Sequence, residues 1–258
     1  MLLNTGEVNR YLARIGITER PLPTLESLNI IQQAHMCSAP YENMDILNKK
    51  RLSMEPAALY EKVVLNHRGG YCFELNGAYG LLLRSLGYNV VDLFGRFLMN
   101  ETGIPMRRHR VLVVTIEKRR FLCDVGVGMP MPRVPVELTS GIEQPQQYGS
   151  YMLTRDDTLG WVLNERHEGL WRPLYCFTEE PQLPVDFVAV TYFCENAPES
   201  IFNKDVMLAI RTPDGRITMD GLTLKFFKGE REFFSQRELG DAVERLAAMK
   251  RYFGLENI

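Results

Sequence analysis

The spacing of hydrophobic residues changes near residue 88. Before it they recur every three or four positions, the period of one helix face. Asn4 with Glu7 can cap a first helix ending near Gly16, and Thr24 can cap a second that stops before Pro40. Ser53, Glu55 and Pro56 open a third. In a fourth, Leu75, Ala78, Tyr79, Leu82 and Leu86 share a face, and Gly87 makes a natural stop. From Asn89 to about Phe177 short β-rich runs separated by turn residues take over, at 89–98, 111–116, 121–125, 148–154, 160–166 and 170–177. They predict an antiparallel barrel or sandwich. The proline-rich run 129–135 cannot be a central strand and reads as a rigid loop. A mixed part begins at Asp186. Residues 207–212, 216–219 and 224–227 look like strands, with a turn at Pro213-Asp214-Gly215. Ser235 with Glu238 forms a capping-box pattern, predicting a last helix that runs to about Phe253 and stops at Gly254.

The fourth helix opens with Arg68-Gly69-Gly70-Tyr71-Cys72-Phe73-Glu74-Leu75-Asn76. Two glycines allow a sharp turn and a close approach to a neighbour. Cys72 then falls at or near a helix N-terminus, where the dipole favours a thiolate, so it is expected to be a low-pKa nucleophile. A cysteine in apolar company is more commonly a small buried hydrophobe. Two residues downstream tip the balance. His109 stands just before the apolar run 111–116, and Asp124 closes the next, 121–124. A nucleophilic thiol needs these parts: an imidazole to take or hold its proton, and a carboxylate to orient the imidazole.

The runs 111–116 and 121–125 read as a hairpin with a charged turn at 117–120. A two-residue loop at Lys118-Arg119 would pair Asp124 with Val113. His109 then shares the Val113 face but lies four residues along, too far for contact in a flat ladder. A bulge, a strong twist or a bent strand start is needed to bring the two together.

At 258 residues the chain can build a sizeable core and more than one domain. Its net charge of −2 argues against nucleic-acid or membrane-surface partners. No apolar run approaches the ~20 residues of a membrane span, and the N-terminus lacks the pattern of a signal peptide. The 5 cysteines are widely spaced and odd in number, which predicts a reducing, cytoplasmic setting. The 4 histidines show no metal-ligand spacing, so no metal is expected. Cys123, beside Asp124, points to the opposite strand face and is expected in the core.

The Cys72 segment, His109 ahead of its strand and Asp124-Val125-Gly126-Val127-Gly128 resemble the arylamine N-acetyltransferases. Pro40-Tyr41-Glu42-Asn43 and Pro198-Glu199-Ser200-Ile201-Phe202 do so too, and the likeness covers most of the chain. It implies an α+β fold: a helical bundle over 1–87 carrying the nucleophile, an antiparallel β-barrel over 88–185 carrying His and Asp, and an α/β lid over 186–258. It implies that Cys72 accepts an acetyl group from acetyl-CoA and passes it to an arylamine, hydrazine or N-hydroxyarylamine. His109 would be its proton partner and Asp124 the orienting acid. The same likeness sets Tyr41, Val127 and Phe202 at the acceptor. The family often has Phe where this chain has Val127, so the acceptor pocket is expected to be wider.

Other assignments stay open between two readings. Glu42 and Arg68 fit a family salt bridge pinning the loop before Cys72, or are unrelated surface charges. Arg107 and Arg108 attract CoA phosphates or lower the cysteine pKa, or form a solvated charge run. Gly126 and Gly128 let backbone approach CoA, or simply turn the chain. Rival functions are another cysteine acyl-transfer enzyme, an amide synthase or a transglutaminase-like protease, and a binding protein that keeps the fold with a dead site.

Overall fold

The structure, a computed structural model, describes residues 1–99 and 101–256. Helix α1 (Thr5–Arg14) begins at the expected capping box: Asn4 Oδ1 accepts from the Glu7 N–H at 3.0 Å, and Glu7 accepts from the Asn4 N–H at 2.8 Å. Thr24 caps α2 (Leu25–Ser38). A two-residue strand, β1 (Tyr41–Glu42), and a single-turn helix, α3 (Met44–Leu47), follow; neither has a recognisable period at that length. Helix α4 (Pro56–Tyr60) starts with proline in its first turn and runs on as a π-helical turn, Glu61–Leu65. Helix α5 (Cys72–Ser85) is the centre of the helical part. All twelve residues from Cys72 to Leu83 are buried, as an all-round apolar helix must be.

The second part is a twisted antiparallel sheet. Its strands are β2 (Asn89–Phe97), β3 (His109–Ile116), β4 (Arg119–Cys123), β5 (Val136–Glu137), β6 (Glu143–Gln146), β7 (Gly149–Asp156), β8 (Gly160–His167) and β9 (Leu170–Phe177). They lie in the order β5-β4-β3-β2-β9-β8-β7-β6. The sheet curls into a nearly closed barrel, and glutamine side chains span the gap between its ends. The Gln144 amide accepts from the Glu137 N–H at 2.8 Å and donates to the Glu137 carbonyl at 2.9 Å. Gln146 does the same for Val134, at 3.1 and 2.9 Å. Each thus satisfies backbone groups that an open edge would leave unpaired. Strand β3 is buried on both faces: Val111 and Val113 fill the barrel, while Leu112 and Val114 pack against the helices. Cys123 packs with the helices, on the side that strand alternation requires.

After a 3₁₀ turn at Pro184–Phe187 come helix α6 (Val188–Asn196) and strands β10 (Met207–Thr212), β11 (Gly215–Asp220), β12 (Thr223–Lys228) and β13 (Glu232–Glu238). The sheet order is β1-β10-β11-β12-β13. The N-terminal segment therefore lends its edge strand to the C-terminal sheet, Tyr41 opposite Ala209.

The last helix corrects the sequence reading. Ser235 and Glu238 do not cap it; they lie in β13, opposite Phe226 and Thr223. Helix α7 is Ala242–Phe253, capped by Asp241, whose Oδ1 accepts from the Val243 and Glu244 N–H groups at 2.9 Å each. A capping pattern is a local signal. Here cross-strand pairing, with Phe227 opposite Phe233, wins over residues 232–238, and a second cap was available beyond them. The stop at Gly254 is as expected.

Candidate active site

Three segments bring the Cys72 end of α5 into place. The chain before it is pinned to β1: Gly70 N–H donates to Pro40 O at 3.2 Å, and Glu42 N–H donates to Gly70 O at 2.9 Å. At Gly69 a Cβ would fall 1.8 Å from Pro40 O, so the approach requires glycine. The Glu42–Arg68 pair forms and is buried: Arg68 Nε and Nη2 donate to Glu42 Oε1 at 3.0 and 2.7 Å. Nη2 also donates to Asp45 at 3.1 Å. Lys62 then links Asp45, at 2.8 Å, to Glu74, at 2.6 Å. Glu74 accepts from the Tyr71 N–H at 3.2 Å, so a carboxylate already sits at the N-terminus of α5.

The hairpin register differs from the expected one. Ile116 pairs with Arg119 and Leu112 with Cys123, so the turn is Glu117-Lys118, with Glu117 in the left-handed region (φ 56°). Asp124 therefore sits one step past the Leu112–Cys123 pair, two residues nearer His109 than a Lys118-Arg119 loop would put it. His109 itself begins β3, opposite Gly95 on β2. No bulge is needed: His109 Nε2 lies 2.6 Å from Asp124 Oδ2.

Asp124 is surrounded by donors. Asn76 Nδ2 donates to its Oδ1 at 2.8 Å and the Gly126 N–H donates to the same oxygen at 2.9 Å. Burial acts to raise its pKa, but His109, Asn76 and Gly126 together hold it below the ordinary carboxylate range. An ionised carboxylate only accepts, so Nε2 carries the proton and a neutral His109 presents an unprotonated Nδ1. That Nδ1 is buried and without a hydrogen-bond partner. Phe97 and Tyr175 both pack against the ring, with centroids 4.6 and 5.1 Å away, and against each other at 6.0 Å. Burial, then the Asp124 charge, pushes the Tyr175 hydroxyl well above its usual pKa.

Cys72 is the first residue of α5 and is 2% exposed. Its thiol donates to Arg108 O at 3.6 Å, the carbonyl immediately before His109. The expectation of a low-pKa thiolate is not met in this arrangement. Burial pushes the thiol well up, and the cysteine at 194 and the carboxylate of Asp124 add to it, against the N–H groups of Arg110 and Phe73, which favour the thiolate. The thiol is bonded to Arg108 O and His109 Nδ1 has no partner, so the structure shows no Cys72–His109 hydrogen bond. Proton transfer between them requires the thiol to turn from that carbonyl to the free nitrogen.

A cleft of about 410 Å³ opens onto Cys72. Every other residue picked for donor or acceptor from the sequence lines it: Arg108, Gly126, Gly128, Tyr41, Val127 and Phe202. Gly126 is forced by packing, since a Cβ would lie 2.7 Å from both Cys72 Cα and Asn76 Nδ2. Val127 is 3% exposed and also packs into the barrel core. Arg108 is not solvated freely; its Nη2 donates to Glu101 at 2.9 Å. Arg107 reaches Glu180 at 3.5 Å on the surface.

Some site residues carried no sequence signal. Arg211 donates to the carbonyls of Val127 and Met129, and Arg216 to that of Gly128 at 3.4 Å, so the C-terminal sheet holds the loop after Asp124. Tyr175 arrives through barrel closure alone. Asn76 was readable: it is the one amide side chain in a mostly apolar helix, one turn beyond Cys72. It donates to Arg110 O at 2.6 Å and accepts from the Val125 N–H at 2.9 Å, tying α5 to both hairpin strands. His35 is apart from the site, buried against the Tyr11 hydroxyl at 2.9 Å, and burial lowers its pKa to about 3. Among the described residues no group of His, Cys, Asp and Glu is arranged to hold a metal, and no helix is long and apolar enough to cross a membrane.

Residues 24–257 match the family model for N-acetyltransferase. The arylamine N-acetyltransferase / N-hydroxyarylamine O-acetyltransferase of Salmonella typhimurium is 33% identical over 94% of this chain and 83% of its own length. The arylamine N-acetyltransferase of Mycolicibacterium smegmatis is 34% identical over 97% and 92%. Among solved structures, the Salmonella typhimurium enzyme superposes with a TM-score of 0.93 at 30% identity, covering 99% of this chain and 94% of that one. The Mycobacterium marinum arylamine N-acetyltransferase in complex with CoA superposes at 0.89 and 31% identity, over 96% and 92%.

Proposed function

The chain belongs to the arylamine N-acetyltransferase family, and we propose that it carries an acetyl group from acetyl-CoA to arylamines, hydrazines or N-hydroxyarylamines on Cys72. The observation that supports this most is the polarised imidazole: Nε2 held at 2.6 Å by an ionised Asp124, and Nδ1 buried without a partner beside the thiol-bearing segment.

In the first half-reaction Nδ1 takes the Cys72 proton as Sγ attacks the thioester carbonyl of acetyl-CoA. Asp124 stabilises the imidazolium. The tetrahedral adduct expels the CoA thiolate, which takes the proton back from Nδ1. The Arg110 and Phe73 N–H groups that face Sγ favour its charged form. In the second half-reaction the acceptor nitrogen attacks the acetyl-cysteine carbonyl and passes a proton to Nδ1. Cys72 leaves as the thiolate and recovers that proton.

Gly126 and Gly128 let backbone lie against the pantetheine arm. Lys225, on the C-terminal sheet, lines the same cleft and supplies positive charge for the CoA phosphates. Tyr41, Val127 and Phe202 face the acceptor, and valine rather than a ring at 127 leaves that end wider. The 5 free cysteines and the donor chosen suit the cytoplasm.

One cysteine acting as carrier means two half-reactions. Initial-rate plots against acetyl-CoA at several arylamine concentrations should be parallel; intersecting lines would mean a ternary complex and overturn the covalent route.

A further inference from the structure

The loop after Asp124 takes its hydrogen bonds from another part of the fold. Strand β4 ends at Cys123, so beyond it the ladder no longer supplies partners. The carbonyls of three consecutive residues, Val127, Gly128 and Met129, accept instead from arginines of the C-terminal sheet, Arg211 on β10 and Arg216 on β11. Arg211 serves two of them, one from each Nη.

This arrangement is unfavourable for the sheet itself. Arg211 and Arg216 stand directly opposite each other in the β10–β11 ladder, where like charges repel. Glu230 offsets the repulsion. Its carboxylate accepts from Arg211 Nη2 at 3.3 Å and from Arg133 Nε at 2.7 Å, and its backbone carbonyl accepts from Arg216 Nε at 2.6 Å. Arg211 is 4% exposed, yet its Nε is buried without a hydrogen-bond partner. A buried donor left unpaired destabilises a fold. The guanidinium accepts that cost in the orientation that gives both Nη groups to the loop.

The loop has no slack to absorb a shift. Val127 follows Gly126, whose N–H donates to Asp124 Oδ1 at 2.9 Å. A Cβ on Gly126 would lie 2.7 Å from Cys72 Cα, so its backbone abuts the nucleophile.

Resting on the acetyl-transfer reading above, we infer that Arg211 is a positioning residue, through which the C-terminal sheet fixes the loop after Asp124 and holds the Gly126 N–H on the Asp124 carboxylate. It acts through Gly126 and Asp124 on His109. Without it the loop drifts, the carboxylate loses one of its two donors on Oδ1, and the imidazolium formed beside Cys72 is less well supported.

The test is the pH dependence of Cys72 alkylation by iodoacetamide, read by the mass of the Cys72 peptide, which needs no acetyl donor. In Arg211→Gln the rate near neutral pH should fall about tenfold and the pH midpoint should move upward. Arg211→Lys should recover part of the loss, since an ammonium meets one carbonyl where the fork meets two. Glu230→Gln, which frees Arg211 from its carboxylate, should shift the profile the same way by less, and it carries the test if Arg211→Gln does not fold. Arg231→Gln is the control. Arg231 joins the same sheet to the barrel through Glu165 on β8, at 2.9 Å, so its loss should lower the melting temperature and leave the midpoint at the wild-type value. A midpoint unchanged in Arg211→Gln and Glu230→Gln, or moved equally by Arg231→Gln, overturns the inference. If wild-type Cys72 gains no acetyl mass from acetyl-CoA, the acetyl-transfer reading fails, while the alkylation profiles still decide the role of Arg211.

Discussion

Asn76 Nδ2 and the carboxylate of Asp124 lie 2.8 Å apart, and this contact joins the helix that begins at Cys72 to the strand end that orients His109. Asn76 and Gly126 both donate to Oδ1, which leaves Oδ2 for Nε2. The carboxylate thus has fixed donors on one oxygen and the imidazole on the other.

That arrangement predicts what Asp124→Asn does. The new amide keeps its carbonyl oxygen toward Asn76 and Gly126 and turns its NH₂ toward Nε2. Nε2 must then accept, the ring proton moves to Nδ1, and Nδ1 can no longer take the thiol proton. Activity should fall by about three to four orders of magnitude with the fold retained. Near-wild-type turnover would make Asp124 a mere strand-end residue. The variant should also flatten the acid limb of stability. A carboxylate held below its unfolded value of about 3.9 contributes stability above that pH and loses it as pH falls through the lower folded value. Thermal melts from pH 7 downward check this.

On the proposed route the buried thiol of Cys72 gives its proton to His109, and labelling tests that dependence. Iodoacetamide near neutral pH should label Cys72 before Cys37, Cys123, Cys176 or Cys194, with loss of activity, although Cys37 is the more exposed. His109→Gln should slow that labelling about tenfold or more and leave Cys37 unaffected. Rapid labelling elsewhere with activity intact would remove Cys72 from the mechanism.

Gly126→Ala probes the close approach of loop and helix. A Cβ there meets Cys72 Cα and Asn76 Nδ2, both at 2.7 Å, and backbone cannot yield without moving the nucleophile. We expect kcat/KM to fall about a hundredfold, as for a displacement near 1 Å, while overpacking costs about 1–3 kcal/mol of stability. An active variant with unchanged stability would show that the loop relaxes freely.

Much of this architecture was legible because local signals agreed with the tertiary outcome. Asn4, Thr24 and Gly87 mark helix ends whether or not the rest of the chain is known. The six β-rich runs became strands because their alternation matches a barrel wall. The failures are where a local rule met a longer-range one. The Ser235–Glu238 pattern lost to pairing with β12, and the hairpin moved by one residue at its turn because Glu117 adopts φ 56°. At the site, Cys72, His109 and Asp124 could be named from order and residue type, but not the contact between the last two, which needs the true register. The arginines at 211 and 216 were illegible, since only the C-terminal sheet folding over the loop brings them there. Nor could composition reveal that burial opposes the helix dipole at Cys72.

The central claim is that Cys72 carries the acetyl group, and intact-protein mass tests it most directly. After brief incubation with acetyl-CoA the wild-type protein should gain the mass of one acetyl group, mapped to Cys72. The gain should vanish on adding an arylamine, with one equivalent of acetylated amine released. Cys72→Ala should gain nothing. An unmodified wild-type protein that still acetylates the amine, or an acetyl group on another residue that turns over with the amine, would contradict the account.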